Sequence, residues 1–92
     1  IAGKDLRTCT FTQSDLGKAD LQRSIFAGAD CNATMFIGAK LAGANFQKAK
    51  LDTALFSEAD VSGADFSEAD LRRAKFRQGK AVATKFNKAR MD

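Results

Sequence analysis

The chain has 92 residues, 15 of them basic and 11 acidic for a net charge of +4, with 45% hydrophobic and 28% charged residues. A chain of this length forms one domain with a small core; it is too apolar for a disordered tail and lacks the run of roughly 18 apolar residues that a membrane span needs. It contains no His, Trp or Tyr, which removes most of the side chains used in catalysis and cofactor binding and argues against an enzyme. The opening residues also lack the basic, apolar and small-residue sections of a signal peptide.

The predicted elements follow from a period. Phe occupies positions 11, 26, 36, 46, 56, 66, 76 and 86, all of one class in a five-residue repeat. The rest of that class between Leu6 and Met91 holds six Leu with Cys31, Val61, Ala81 and Met91, so every member is apolar. Two residues earlier lies a class of small residues, mostly Ala, with Lys4 as its exception. Neither regular element fits this pattern: a helix turns roughly 500° in five residues and scatters the Phe, and a strand sends successive Phe to opposite faces. A corner every five residues does fit. Four units then close a square coil of about 20 residues, and successive coils stack about 4.8 Å apart, giving about 4.6 coils and a rod about 22 Å long. Large residues fill the axis and small ones the space near the corners.

Units such as Ala19-Asp20-Leu21-Gln22-Arg23, Ala44-Asn45-Phe46-Gln47-Lys48, Ala64-Asp65-Phe66-Ser67-Glu68 and Ala69-Asp70-Leu71-Arg72-Arg73 resemble the A(D/N)LXX motif of the pentapeptide repeat proteins. The resemblance runs through essentially the whole chain and implies an all-β fold, a right-handed quadrilateral β-helix, with residues 1–92 forming a single solenoid, either a fragment or a subunit of a larger assembly. It does not imply one function. The family includes bacterial proteins that protect DNA gyrase by mimicking DNA, thylakoid-lumen proteins, secreted effectors and repeats fused to other domains; it points to a thylakoid-lumen or cytoplasmic setting.

In chain order, the repeat starts at Leu6 with no capping segment, and a stacked coil without caps leaves backbone groups open for end-to-end or side packing in an assembly. Cys9 and Cys31 fall in inward classes, and stacking sets their Cα atoms near or beyond the roughly 7 Å limit for a disulfide, so free thiols are expected. Two Cys without His make no metal site. In the column just before the central residue, Asp20, Lys40, Asp60 and Lys80 form one alternating ladder and Asp30, Lys50, Asp70 and Arg90 another, which cross-coil pairing explains structurally. The other two columns read Asp15, Met35, Leu55, Lys75 and Asp5, Ile25, Asn45, Asp65, Lys85. Ile25, Met35 and Leu55 stand where the motif carries Asp or Asn, and Ile37 shares the face of Met35, so these four are protein-contact candidates. Residues 52–70 hold six acids and no base, whereas 71–92 hold Arg72, Arg73, Lys75, Arg77, Lys80, Lys85, Lys88 and Arg90 against one acid. That basic end is a candidate surface for phosphate groups or an acidic protein. Every Phe is inward, however, and none is left to stack on bases, which argues against nucleic acid. Near the end Gly79, Ala81 and Val82 depart from the motif.

The reading is a non-enzymatic protein–protein interaction or scaffold module, a small subunit of a larger complex, with no catalytic, cofactor or metal residues and a protein partner. The alternatives are a DNA-mimic topoisomerase-protecting protein, set against the basic charge and short acidic band, and anionic-surface binding through the basic C-terminal coil.

Overall fold

The computed structural model describes residues 3–7 and 10–91. The coil closes every 20 residues: parallel bridges join residue i to i+20 from Asp5–Ile25 to Asp70–Arg90 without a slip. Each side contributes one bridged residue, the outward position before the inward large residue. Four faces result. Face 1 carries Asp5, Ile25, Asn45, Asp65 and Lys85; face 2 carries Thr10, Asp30, Lys50, Asp70 and Arg90; face 3 carries Asp15, Met35, Leu55 and Lys75; face 4 carries Asp20, Lys40, Asp60 and Lys80. The stack measures 30 × 27 × 21 Å, a squat block.

The corner has a specific conformation. In every described unit from Ser14 to Ala89 except that of Thr84, the amide of the small residue donates to the carbonyl of the preceding large residue, as Ala29 N to Phe26 O at 2.9 Å and Ala49 N to Phe46 O at 3.0 Å. The residue just before the small one is left-handed: Gly28 has φ 70°, Lys48 60°, Glu58 61° and Arg73 61°. A positive φ at the third position marks a type II turn, which favours glycine on steric grounds. Of the other four amides, three bind between coils. In the unit around Phe36, Phe36 N donates to Leu55 O at 2.7 Å, Gly38 N to Ser57 O at 2.9 Å and Met35 N down to Ser14 O at 2.9 Å.

Inside, the large residues meet on the axis. Because the Phe from residue 26 onward are ten residues apart, they come from opposite sides, faces 1 and 3, in two interleaved ladders. Within a ladder rings stack almost parallel, Phe26–Phe46 at 4.6 Å and Phe46–Phe66 at 4.9 Å between centroids. Between ladders they meet edge to face, as Phe36–Phe46 at 5.7 Å and 85°. Both geometries suit the ring quadrupole, the parallel one when the rings are offset. Leu21, Leu41 and Val61 on face 4, with Cys31, Leu51 and Leu71 on face 2, fill the sides between, and the Ala class is buried from Ala29 to Ala69. Among the small-class polar residues, Thr34 is fully buried, and its hydroxyl donates to Phe11 O at 2.6 Å. Cys31 is buried in this core; Cys9 lies outside the described residues.

Candidate functional site

The ladder positions show what the motif's acid does. The carboxylate of Asp15 accepts the amide of Gly17 at 2.9 Å, that of Asp60 the amide of Ser62 at 3.0 Å and that of Asp65 the amide of Ser67 at 2.9 Å, and Asn45 accepts Gln47 N at 2.9 Å. This is an Asx turn that holds the chain as it enters the corner. It also supplies the partner for the one amide of the unit that neither the turn nor the next coil uses. Side-chain and backbone hydrogen bonds from Ser62 hold the Asp60 carboxyl below its ordinary value, with Lys80 contributing at longer range. The Arg72 guanidinium does the same for Asp70, with Arg90 assisting. The expectation of close cross-coil pairing along the ladders is therefore corrected. The register is as read, but the carboxylates of Asp60 and Asp70 bond within their own turns, and the cation one coil away acts through the field. Direct ion pairs form elsewhere: Arg72 to Asp70 at 2.7 Å and Arg73 to Asp52.

Of the contact candidates, Met35 and Leu55 are bridge partners on face 3, and Ile37 lies beside Met35 on the same side. Ile37 is 39% exposed, while Met35, Leu55 and Ile25 are half-buried, so the patch is flatter than three exposed residues would make it. Ile25 belongs to face 1, on the opposite side of the stack, and the structure does not bring it to the other three. Above the patch stand Lys75, bridged to Leu55, and Arg77; below it stand Asp15 and Gly17. A shallow depression at the adjoining corner is lined by Ser57, Glu58, Arg77 and Gln78.

The eight bases of the final coil are not gathered on one side. Lys75 and Arg77 belong to face 3, Lys80 to face 4, Lys85 to face 1, and Arg72 and Arg90 to face 2, with Arg73 at the corner between faces 2 and 3 and Lys88 at that between faces 1 and 2. They encircle the stack, and Arg72 and Arg73 are already engaged by Asp70 and Asp52. The acids of residues 52–70 are equally dispersed. Among the described residues no group of three or more His, Cys, Asp or Glu could hold a metal, and no helix is long and apolar enough to cross a membrane.

A four-sided parallel solenoid with Asx-turned corners is a class in itself, and the comparisons agree with it. The model described as "Pentapeptide repeat region" matches residues 33–92, and that described as "Pentapeptide repeats (8 copies)" matches residues 5–43. The chain belongs to the pentapeptide repeat family, and its fold is the right-handed quadrilateral β-helix.

Among solved structures, a pentapeptide repeat protein of the cyanobacterium Cyanothece 51142 is similar in fold, with TM-score 0.94 at 23% identity over 100% of this chain and 63% of that one. QnrB1, a plasmid-mediated fluoroquinolone resistance protein, is 29% identical with TM-score 0.88 over 97% of this chain and 46% of that one. A pentapeptide repeat protein of the Arabidopsis thaliana thylakoid lumen is 32% identical with TM-score 0.67 over 95% and 61%. The chain thus spans about half to two thirds of these structures. A search of curated proteins gives no significant match. No catalytic family is indicated.

The left-handed corner position was missed by sequence reasoning. Its one signal was five Gly, Gly3, Gly28, Gly38, Gly43 and Gly63, in a single class of the repeat.

Proposed function

We propose that residues 1–92 act as one non-catalytic protein-interaction module, which presents face 3 to a protein partner within a larger assembly. The observation that carries this reading is the stacking of Met35 on Leu55, with Ile37 beside them, at a position of the repeat that elsewhere, Ile25 apart, holds only Asp, Asn, Thr, Lys or Arg. Replacing an Asx residue there gives up a turn hydrogen bond, and the apolar surface gained in exchange is useful only when something covers it. The filled axis argues in the same direction, since a core of stacked Phe leaves no room for a substrate pocket. Its setting is taken as the thylakoid lumen or the cytoplasm from the family resemblance, and the likeness to the Arabidopsis thaliana protein supports the first.

The test is a pull-down from the native source beside a Met35→Asp/Leu55→Asp double variant with unchanged circular dichroism. The reading expects one protein retained by the parent and lost by the variant; equal recovery with both would sink it.

The basic coil supports a second reading, attachment to an anionic surface, because Lys75, Arg77, Lys80, Lys85 and Lys88 have no carboxylate within ion-pair distance among the described residues. Its signature is a steep loss of binding with salt. A DNA-mimic role has less support: Asp52 and Asp70 are paired with arginines, Asp60 and Asp65 turn corners, and the acids face all sides.

A further inference from the structure

Face 3 differs from its neighbours in how its charges are arranged. On faces 2 and 4 a charge has its opposite one coil away, about 4.8 Å along the axis, and the fields of Lys80 on Asp60 and Arg90 on Asp70 are felt. On face 3 two apolar layers separate Asp15 from Lys75. Three coils make about 14 Å, beyond the screening length of about 8 Å at physiological ionic strength, so these charges do little for each other. They lie at opposite ends of an apolar centre.

Reversed end for end, the column becomes its own complement. We propose that the protein partner of face 3 is a second copy of this chain, packed face to face and antiparallel about a twofold axis that lies in the interface between the Met35 and Leu55 layers. This rests on the interaction-module reading above and names its partner. In this register Met35 of one copy covers Leu55 of the other, and Asp15 faces the opposing Lys75 and Arg77. The neighbouring column, Gly17, Ile37, Ser57 and Arg77, fits as well. The protruding Ile37 lies over a Ser57, and each Arg77 crosses a Gly17, whose missing side chain leaves the approach to Asp15 open. A Cβ at Gly17 would stand 3.1 Å from the Asp15 carboxylate and 3.3 Å from Ile37 O. Glu58 borders Arg77 in the corner depression but forms no ion pair with it. The parallel arrangement would set Lys75 against Lys75 and Asp15 against Asp15, so charge alone selects the antiparallel one. Faces 2 and 4 can also be reversed onto themselves, but they have no apolar layer to offset the cost of desolvating their charges. A face of a block this size covers about 500 Å² per copy, which places the dimer in the weak, reversible class.

Sedimentation velocity of the full chain from about 1 µM to 1 mM, the range of weak complexes, tests the proposal through a charge swap. The parent is expected to pass from monomer to dimer across the range. Asp15→Lys alone, and Lys75→Asp/Arg77→Asp alone, each set like charges opposite one another and raise the dissociation constant more than about tenfold. Mixing the two restores every pairing and recovers the dimer, which also shows that both variants are folded. A parent that stays monomeric overturns the proposal, as do variants that dimerise like the parent or a mixture that remains monomeric. These outcomes separate from the broader reading: a monomeric parent whose foreign partner is still lost with Met35→Asp/Leu55→Asp leaves the interaction module standing and removes only the homodimer.

Discussion

At the residue scale, the fold stands on two backbone requirements that look alike in a sequence and differ in their chemistry. The first is the left-handed residue at each corner. Lys, Glu, Arg, Gln, Thr and Ala all occupy it, each at φ near 60°, although non-glycine residues are disfavoured there by clashes of Cβ with the backbone. Gly28→Ala isolates that cost, because a Cβ at Gly28 meets nothing within 4 Å. It is expected to destabilise by about 1 kcal/mol, and Ala33→Gly, which relaxes the same strain but frees the unfolded chain, to change stability far less. Urea titration followed by circular dichroism measures both.

The second operates only where the class carries Asp or Asn, whose side chain accepts the amide two residues on; units with Lys, Arg or an apolar residue there close the same corner without it. Asp60→Ala removes the bond to Ser62 N and is expected to cost about 1 kcal/mol, whereas Asp60→Asn keeps the acceptor and costs less, as Asn45 does naturally. The pH dependence follows from the same bonds. The carboxyls of Asp20, Asp60, Asp65 and Asp70 titrate below the ordinary 3.8 in the folded chain. Their contribution is complete above the unfolded value and is lost as pH falls through the folded ones. The melting temperature should therefore stay level from neutrality to about pH 5 and fall below about pH 4, with the Asp60→Asn variant falling less.

At the scale of the five-residue element, the sequence was legible where packing decides and illegible where the backbone does. Phe, Leu and Ala are bound to their classes because each large residue contacts the coils above and below, so the period, the inward faces and the 20-residue register could be read directly. The corner was not legible, since a strained φ tolerates any side chain at a modest cost and leaves only a bias toward Gly. Asp was visible but its role was misread: at Asp20 and Asp60 the alternation with lysine suggested pairing across coils, while the short bonds run along the chain to Gln22 and Ser62. Of the candidate site, the Met35–Leu55 contact was legible from the period; the separation of Ile25 and the dispersal of the basic residues come from how columns map to sides. Phe46 shows what an inward position is worth. It stacks between Phe26 and Phe66 and meets Phe36 and Phe56 edge-on, so Phe46→Ala opens a cavity lined by rings that cannot collapse, at about 3–5 kcal/mol. Phe46→Leu, which matches the residue used on face 4, should cost distinctly less, and thermal melts of the pair compare them.

At the scale of the whole molecule, the four faces exist only because the register is unbroken. A single residue inserted between Lys48 and Ala49 would turn every later inward position outward and is expected to abolish the folded dichroism signal of the downstream coils. A five-residue insertion of motif sequence at the same point preserves the core but rotates all later columns by one side, so Leu55 no longer stacks on Met35. That insertion should leave the fold intact and abolish the face-3 contact, which separates the requirements of folding from those of recognition in one comparison by circular dichroism and sedimentation.

The in-register bridges between coils also have a mechanical meaning. Each coil is held only by its neighbours, through parallel bonds that a pull along the axis opens in succession. Stretched between its ends in an optical trap, the chain would lengthen in a staircase, each step releasing one coil of 20 residues from about 5 Å of stack to about 65 Å of extended chain.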